Sequence, residues 1–247
     1  MEYKYSKDDN FEDFASGRVL YHRSGMPCFP VRLADEIFKR CMEHLGRHDD
    51  IVFFDPCCGS GYMAAVLGFL NPAAIKKLVC SDIDEEALEL ARSNLSLLTM
   101  DGLLRRKDQV VGMIGTFGKQ SHKDALQSID RLVRILQDRP FVPEIYCFTA
   151  DALDKRAFCD AGITTDIVIA DVPYGNLSTW SGKPDDAADS LQDAVGSLLD
   201  SVRYAIHKNS VIAIISDKSQ KARNSGYKRL ERFKAGKRAI EILKPVY

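Results

Sequence analysis

The sequence of 247 residues lacks three features that would each indicate a class of protein. No apolar run reaches the roughly 18 to 20 residues that a membrane-spanning helix needs, which predicts a protein without membrane spans. The amino-terminal residues contain no apolar signal segment, which predicts a cytoplasmic protein. The cysteines include no pair with the two-residue spacing of zinc or redox motifs, so we expect no metal site.

The sequence also lacks an overall excess of charge, since its net charge is −1. Its charges are nevertheless unevenly distributed. Residues 216–247 contain 10 Lys and Arg against 3 Asp and Glu, whereas residues 151–200 contain 3 against 10. A neutral total that conceals a basic segment is compatible with binding of a polyanion through one face. The density of the carboxyl-terminal cluster favours nucleic acid.

Short apolar runs alternate with amphipathic segments along most of the chain. Helices are predicted at residues 30–45, 61–70, 84–98 and 186–206, and strands at residues 51–55, 78–82, 145–149, 166–171 and 210–216. Such alternation is typical of a parallel sheet covered on both faces. We therefore predict an α/β fold with a Rossmann-like doubly wound sheet. A single domain is expected over residues 1–247, with an amino-terminal segment and helix at residues 1–46.

Two segments depart from this alternation. Residues 100–140 form an insertion. It lies between the helix predicted at residues 84–98 and the third predicted strand, at residues 145–149. The insertion is much longer than an ordinary connection, and its apolar spacing predicts a helix at residues 123–137. Near the carboxyl terminus, two strand-like runs flank residues 234–236 and predict an antiparallel hairpin at the edge of the sheet.

The most informative local motif is the turn after the first strand. The apolar run of residues 51–55 ends in Asp55 and continues through Cys57, Gly59 and Gly61 into a helical pattern. A strand, a tight turn and a helix N-terminus together bind anionic groups through free backbone N–H groups, while Asp55 adds a negative charge that suits an ammonium. S-adenosylmethionine carries both groups on its amino-acid end. The turn also matches the Gly-x-Gly-x-x-Ala fingerprint of NAD enzymes, although an acid here opposes a pyrophosphate.

Residues at the ends of the next two strands extend this predicted cofactor site. Asp82 ends the second strand, where it is placed to accept hydrogen bonds from ribose hydroxyls, and Ile83 follows it. Asp151 follows the third strand, where it is placed to accept a hydrogen bond from an adenine amino group. Because the carboxyl ends of parallel strands meet at one edge of a sheet, these residues and Asp55 fit one bound adenosine.

The fourth strand runs into Asp171, Val172, Pro173 and Tyr174, a turn suited to methylation of a base. An exocyclic base amine is a poor nucleophile because its lone pair is delocalised into the ring. The Asp171 carboxylate and the Val172 carbonyl are placed to accept its two hydrogens. Pro173 stiffens the turn, and Tyr174 offers a face for stacking. Attack on a sulfonium methyl then needs in-line positioning and local electrostatics, and no metal.

With these motifs the chain resembles class I S-adenosylmethionine-dependent methyltransferases, and more closely the avilamycin-resistance (AviRa-like) ribosomal RNA methyltransferases. The resemblance spans most of the chain and includes residues 29–34, 55–62, 81–84, 117–119, 171–175, 179–180 and 216–219. It implies methylation of a guanosine in large-subunit ribosomal RNA, near an antibiotic-binding region. It also implies that Asp55, Gly59, Gly61 and Asp82 hold the cofactor, with Asp171 and Tyr174 facing the base. Val172 departs from the Pro-Pro turn that is usual in amino-methylating enzymes, which leaves the methylated base atom open.

Basic and aromatic residues around the crevice are predicted to contact RNA. They lie in the amino-terminal segment, on the insertion, after the catalytic turn and after the fifth strand: Arg18, Arg105, Arg106, Lys107, Lys119, Trp180, Lys218, Lys221 and Arg223. The last three are the strongest candidates, because the loop that carries them leaves the sheet at its carboxyl end.

The sequence therefore predicts S-adenosylmethionine-dependent methylation of a guanine base in 23S-type ribosomal RNA. The expected partner is ribosomal RNA or the large ribosomal subunit, and a monomer is expected. Three alternatives stay open: an adenine amino-methyltransferase acting on DNA or RNA, a non-catalytic RNA-binding assembly factor that keeps the fold, and an NAD-dependent dehydrogenase.

Overall fold

The computed structural model describes residues 1–15, 17–26, 28–139, 141–172, 188–217 and 222–247. Within these ranges one sheet of seven strands has the order β3-β2-β1-β4-β5-β7-β6. The strands are β1 (Ile51–Asp55), β2 (Ile75–Asp82), β3 (Glu144–Thr149), β4 (Thr165–Asp171), β5 (Ile206–Asp217), β6 (Tyr227–Ala235) and β7 (Arg238–Pro245). The first five are parallel, whereas β7 is antiparallel to β5 and β6. The doubly wound sheet and the terminal hairpin are thus confirmed.

Helices cover both faces of this sheet. They are α1 (Val31–Leu45), α2 (Tyr62–Leu70), α3 (Glu85–Ser96), α4 (Met100–Phe117), α5 (Gln120–Gln137) and α6 (Ala188–Val202). One face carries the larger core, to which the first five helices contribute, and α6 packs on the other face. No helix in the described ranges is long and apolar enough to cross a membrane. The extent of a single domain over residues 1–247 stays a prediction.

Several strand and helix ends differ from those predicted. β2 begins at Ile75 rather than residue 78, because Ile75 pairs with Ile51 at the start of β1. β5 begins at Ile206 rather than residue 210, and α6 ends at Val202 rather than residue 206. The pairing of Thr165 with Ile206 extends β5 beyond its apolar run, and the register shifts directly afterwards. Long-range pairing, which the local pattern does not encode, sets these ends.

The insertion contains two helices, where the sequence predicted one. α5 confirms the predicted helix, whereas α4 was missed because the glycines at positions 102, 112 and 115 lower the helix propensity of its sequence. Gly102 is required by the tight turn from α3, since a Cβ at this position would lie 2.0 Å from the Ser96 carbonyl oxygen. The two helices pack against each other, and Lys107 donates to Asp130 across them at 2.8 Å.

Candidate functional site

A crevice opens at the carboxyl ends of β1 and β4. These strands are neighbours, but the chain continues from β1 toward β2 and from β4 toward β5, in opposite directions across the sheet. Such a reversal of strand order creates the crevice in which open α/β sheets bind ligands. Asp55, Asp82 and Asp171 are the last residues of β1, β2 and β4. The fold therefore brings together three acids that the sequence assigned to the site.

The glycine turn after β1 is held by hydrogen bonds within the protein. Gly59 and Gly61 have φ angles of 50° and 66°, in the left-handed region that favours glycine. A Cβ on Gly61 would lie 2.8 Å from the Ala91 Cβ, so this glycine also permits close packing against α3. The backbone N–H groups of Cys57, Cys58, Gly59 and Gly61 all have internal acceptors.

The sequence predicted free backbone N–H groups for the strand, the turn and the helix N-terminus together, and this bonding shifts that prediction toward the helix N-terminus. The first hydrogen bond of α2 runs from Ala65 to the Gly61 carbonyl, so the N–H groups of the preceding residues have no acceptor within the helix. A ligand's carboxylate is therefore better served by the first turn of α2, where the helix dipole also favours negative charge.

Asp82 joins the two loops that border the crevice. Its Oδ2 atom accepts from the N–H of Gly59 at 2.8 Å, and its Oδ1 atom accepts from the N–H of Asp84 at 3.1 Å. Burial raises the pKa of Asp82, and the charge of Asp84 adds to this rise, while the backbone hydrogen bonds oppose it. One carboxylate thus fixes the glycine turn against the end of β2.

Asp55 is the most deeply buried acid of the crevice, with 2% of its surface exposed. Its Oδ1 atom accepts from the N–H of Cys57 at 3.2 Å. Burial raises the pKa of Asp55 well above its usual range, and the charges of Asp171 and Asp82 raise it further. Three carboxylates that repel one another across a partly desolvated space are stabilised by an added cation.

The other predicted cofactor residues lie along the same edge of the sheet. Cys57 is half-buried, and burial and the nearby carboxylates raise the pKa of its thiol well above the usual range, so it stays protonated. Ile83 is 46% exposed directly after β2, which suits an apolar contact with a ligand. Asp151 is exposed after β3, and its side chain accepts from the Leu153 N–H at 2.9 Å. In the described ranges, no group of His, Cys, Asp and Glu side chains is arranged to hold a metal ion.

The exit from β4 is fixed by the neighbouring strand. Asp171 pairs with Ile215 of β5, and the N–H of Val172 donates to the Ile215 carbonyl at 3.0 Å. The Val172 side chain is buried in the core beneath the crevice. Pro173, Tyr174 and Trp180 lie outside the described residues, as do Lys218 and Lys221.

The sequence-based prediction missed Asn94, a fully buried residue of α3 that supports the crevice. Its Oδ1 atom accepts from the Tyr21 N–H at 2.7 Å. Its Nδ2 atom donates to the Tyr21 carbonyl at 3.0 Å and to the Ser60 carbonyl at 2.9 Å. Asn94 therefore ties the glycine turn to the amino-terminal segment. A polar residue on the inward face of an amphipathic helix was the available signal.

The predicted RNA-binding residues of the insertion differ in how accessible they are. The structure argues against an RNA contact at Arg106, which is 7% exposed. The Arg106 Nε atom donates to the Val19 carbonyl at 2.8 Å, and its guanidinium stacks on Tyr21, so it serves the fold. Arg105 and Lys107 form surface ion pairs with Asp101 and Asp130. Lys119 is exposed beside the Phe117 ring.

The remaining two described candidates lie apart from each other. Arg18 pairs with Glu12 at 3.5 Å and is mostly covered, with 23% of its side chain exposed. Arg223 is exposed, but its backbone lies beside Gly196 in the middle of α6. The next residue, Asn224, donates to Asp200 near the end of α6. The loop at Arg223 is therefore already returning toward the amino end of the sheet, away from the crevice.

Comparisons with known proteins agree with this architecture. A sequence model of the rRNA methyltransferase AviRa family matches residues 1–238. A relative from Streptomyces viridochromogenes, named 23S rRNA (guanine(2535)-N(1))-methyltransferase, is 37% identical over 234 residues, which cover 94% of this chain and 91% of the relative.

Solved structures show the same relationship. The structure of the rRNA methyltransferase AviRa from S. viridochromogenes has a TM-score of 0.86 and 36% identity, covering 99% of this chain and 96% of that chain. TrmN from Thermus thermophilus, at 16% identity and a TM-score of 0.52 over 90% of this chain and 51% of that one, shares the fold. Methyltransferases as a class use S-adenosylmethionine, which fits the crevice acids. The chain belongs to the AviRa family of ribosomal RNA methyltransferases.

Proposed function

We propose that this protein transfers a methyl group from S-adenosylmethionine to the N1 atom of a guanine in 23S ribosomal RNA. The observation that carries the proposal is the acidic crevice beside the glycine turn, in a chain that is 37% identical to a relative named for this reaction. An acidic crevice suits a cofactor that carries a sulfonium and an ammonium. It opposes the pyrophosphate of NAD, which was the rival reading of the glycine turn.

The residues present fit this cofactor. When bound, S-adenosylmethionine supplies a methyl group activated by a positively charged sulfur. Asp55 holds the ammonium, and the first turn of α2 holds the carboxylate. Asp82 accepts from the ribose hydroxyls through the lone pairs that its two loop hydrogen bonds leave open. Ile83 contacts the adenine ring, and Asp151 accepts from the adenine amino group. Cys57, Gly59 and Gly61 give the turn its shape.

The guanine base presents two adjacent N–H groups to Asp171. The N1–H and the 2-amino group lie side by side on one edge of the base, so a single carboxylate accepts from both. N1 becomes nucleophilic as its proton leaves, and Asp171 is placed to take that proton as a general base. With S-adenosylmethionine bound, transfer would form the N1–carbon bond as the carbon–sulfur bond breaks, and would leave a neutral sulfur. The proton on Asp171 is released to solvent.

This chemistry revises the expectation of attack by an exocyclic amine. A ring nitrogen needs one acceptor for the departing proton, whereas an amine was expected to need two. The Val172 carbonyl is left to accept the second hydrogen of the 2-amino group, which would orient the base. As the sequence predicted, Pro173 is proposed to shape the turn and Tyr174 to stack on the base. Trp180, Lys218, Lys221, Lys119, Arg105, Lys107, Arg18 and Arg223 remain proposed RNA contacts of a monomeric enzyme that acts on ribosomal RNA or the large subunit in the cytoplasm.

Replacement of Asp171 tests the role of the general base. We expect Asp171→Asn to reduce single-turnover methyl transfer to 23S ribosomal RNA by about 10²- to 10⁴-fold, because the amide cannot take a proton. Binding of S-adenosylmethionine, measured by calorimetry, should stay nearly unchanged. Asp160→Asn removes an equal charge from an exposed position and serves as the matched control. Undiminished transfer by Asp171→Asn would refute the proposed role.

A further inference from the structure

The β6–β7 hairpin carries a concentration of positive charge that the proposed RNA contacts do not include. Residues 227–247 contain seven Lys and Arg against two Glu. Both glutamates are already neutralised: Glu231 bonds to Arg40 and His44 of α1, and the buried Glu241 bonds to Arg229 at 3.0 Å and lies 3.9 Å from Arg232. The arginines of the hairpin are thus largely engaged, and the exposed positive charge is carried by lysines, among them Lys228, Lys234 and Lys237.

The register of the sheet places one end of this hairpin level with the crevice. Asp171 pairs with Ile215, Ile215 with Ile240, and Ile240 with Phe233. Phe233 is thus three strands away from Asp171 along one line across the sheet, or about 14 Å at 4.8 Å per strand. Lys234 and Lys237 lie beyond Phe233, on the crevice side of that line.

An open groove runs along this end of the hairpin. It has a volume of about 530 Å³ and lies between β6 and the amino-terminal residues. Its lining contains one acid, Glu2, against four cations and is formed by Met1, Glu2, Lys4, Arg40, Arg232, Phe233 and Lys234. The backbone N–H of Lys4 donates to the buried Glu36 of α1 at 2.9 Å, which holds the amino-terminal residues in place. The side chains of Lys4, Lys234 and Lys237 are exposed and form no ion pair with any part of the chain that the structure describes.

The exposed ammonium groups of Lys4, Lys234 and Lys237 are suited to the backbone phosphates of a single-stranded nucleic acid. The Phe233 ring packs against the larger core and carries the Arg40 guanidinium 4.5 Å from its centroid, so the lysines rather than base stacking provide the binding. A separation of about 14 Å between Phe233 and Asp171, at about 4.8 Å per strand, is within reach of one RNA strand, since sites of this kind cover about 4 to 16 nucleotides. By contrast, Arg105 and Lys107 must first give up their ion pairs to reach a phosphate.

We infer that the hairpin groove, formed by Lys4, Arg232, Phe233 and Lys234 together with Lys237 at the hairpin tip, binds the phosphate backbone of the RNA next to the target base. The inference rests on the proposed function and names the surface that orients its substrate. Lysines on an edge strand also prevent sheets from pairing with one another. Protection of the edge would involve lysines along the whole strand. RNA binding next to the target base would depend only on the lysines at the crevice end.

The chain offers a matched control for this distinction. Lys228 and Lys244 face each other across the same hairpin at its other end. Lys228 is six residues from Lys234, or about 20 Å, which is two Debye lengths at 0.1 M salt. Two double variants therefore remove equal charge from one hairpin at different distances from the crevice. The variant near the crevice is Lys234→Ala with Lys237→Ala, and the control is Lys228→Ala with Lys244→Ala.

Binding of a 23S ribosomal RNA transcript is measured by filter binding at several salt concentrations, beside methyl transfer and S-adenosylmethionine affinity. If the Lys234 and Lys237 ammonium groups each neutralise a phosphate, their removal lowers the slope of log affinity against log salt by about 1.4 to 1.8. A slope difference of this size makes the variant's loss of affinity about ten times larger at 50 mM salt than at 200 mM salt. The cofactor affinity stays unchanged, and the control pair keeps the salt slope of the natural protein.

Equal slopes for the two variants, or an unchanged slope for Lys234→Ala with Lys237→Ala, would overturn the inference. If the natural protein still methylates the transcript in that case, the proposed function stands and only the hairpin groove is excluded. If the natural protein neither binds nor methylates the transcript, the proposed function fails and the inference falls with it.

Discussion

Asp55→Asn should make the protein more stable and its cofactor binding weaker. The amide keeps the oxygen that accepts from the Cys57 N–H, so the geometry of the turn is preserved. It removes a buried charge that Asp171 and Asp82 repel. The simplest reason for a charge that destabilises the ligand-free fold is that a ligand needs it. The substitution separates the cost of this charge in stability from its contribution to cofactor binding.

The expected magnitude follows from the register of the sheet. Asp55 pairs with Cys80, so Asp82 is one strand across and two residues further along, or about 8 Å away. Two full charges at that distance interact by about 2 kcal/mol at an effective dielectric constant near 20. The raised pKa values of Asp55 and Asp82 lower the mean charge on each carboxyl, so we expect a gain of about 1 to 2 kcal/mol, or roughly 2 to 8 °C in melting temperature.

The loss of cofactor affinity has the opposite sign. A hydrogen bond to a charged group contributes about 1.5 to 3 kcal/mol, so the affinity for S-adenosylmethionine should fall by about ten- to a hundredfold. Thermal unfolding with and without cofactor measures both effects on one sample. Asp108→Asn, at an exposed position of α4, is the control for loss of one charge. A lower melting temperature without ligand, or an unchanged affinity, would refute the reasoning.

The pH dependence of that stability gain has a definite direction. A carboxyl whose pKa is raised on folding costs stability once the pH exceeds its ordinary value, and the full cost is reached above the raised pKa. The gain from Asp55→Asn should therefore vanish in strong acid and grow with pH until the raised pKa of Asp55 is passed. A gain that persists unchanged at low pH would assign it to packing rather than charge.

The remaining predictions concern the support and the protonation of the crevice. Asn94→Ala leaves three backbone groups of the crevice without their partner, and should lower the unfolding free energy by about 3 kcal/mol and weaken cofactor binding in calorimetry. Gly61→Ala places a Cβ against Ala91 in a left-handed residue, and should cost about 1 to 3 kcal/mol in denaturant unfolding. Cofactor affinity should rise with pH through the raised pKa values of Asp55 and Asp82, because the cationic ligand selects the carboxylate forms. Affinity that is flat across that range would contradict the acidic-crevice account.

The fold and the acids of the crevice were predictable because local sequence patterns determine both. Short buried strands that each end in an acid specify the parallel sheet, and its carboxyl edge places Asp55, Asp82 and Asp171 together. The glycine turn is equally local. Its internal hydrogen bond from Gly59 to Asp82, however, joins residues 23 positions apart, and its consequence for anion binding was not predicted.

The supporting contacts were not predictable because they join distant parts of the chain. Asn94 reaches Tyr21 across 73 positions, and Arg106 reaches Val19 across 87. Arg106 appeared as a surface cation because it stands beside Arg105 and Lys107 in a basic triplet. Helix α4, which was not predicted because of its glycines, turns Arg106 inward. Arg105 and Lys107 stay nearer the surface.

The most direct test of the central claim is to identify the nucleic acid and the atom that the protein methylates. The protein is incubated with labelled S-adenosylmethionine and separate pools of naked large-subunit RNA, intact subunits, transfer RNA and duplex DNA, and the products are separated as nucleosides by mass spectrometry. We expect 1-methylguanosine from large-subunit RNA, naked or assembled. Label only in DNA, or a methylated adenine amino group, would contradict this expectation.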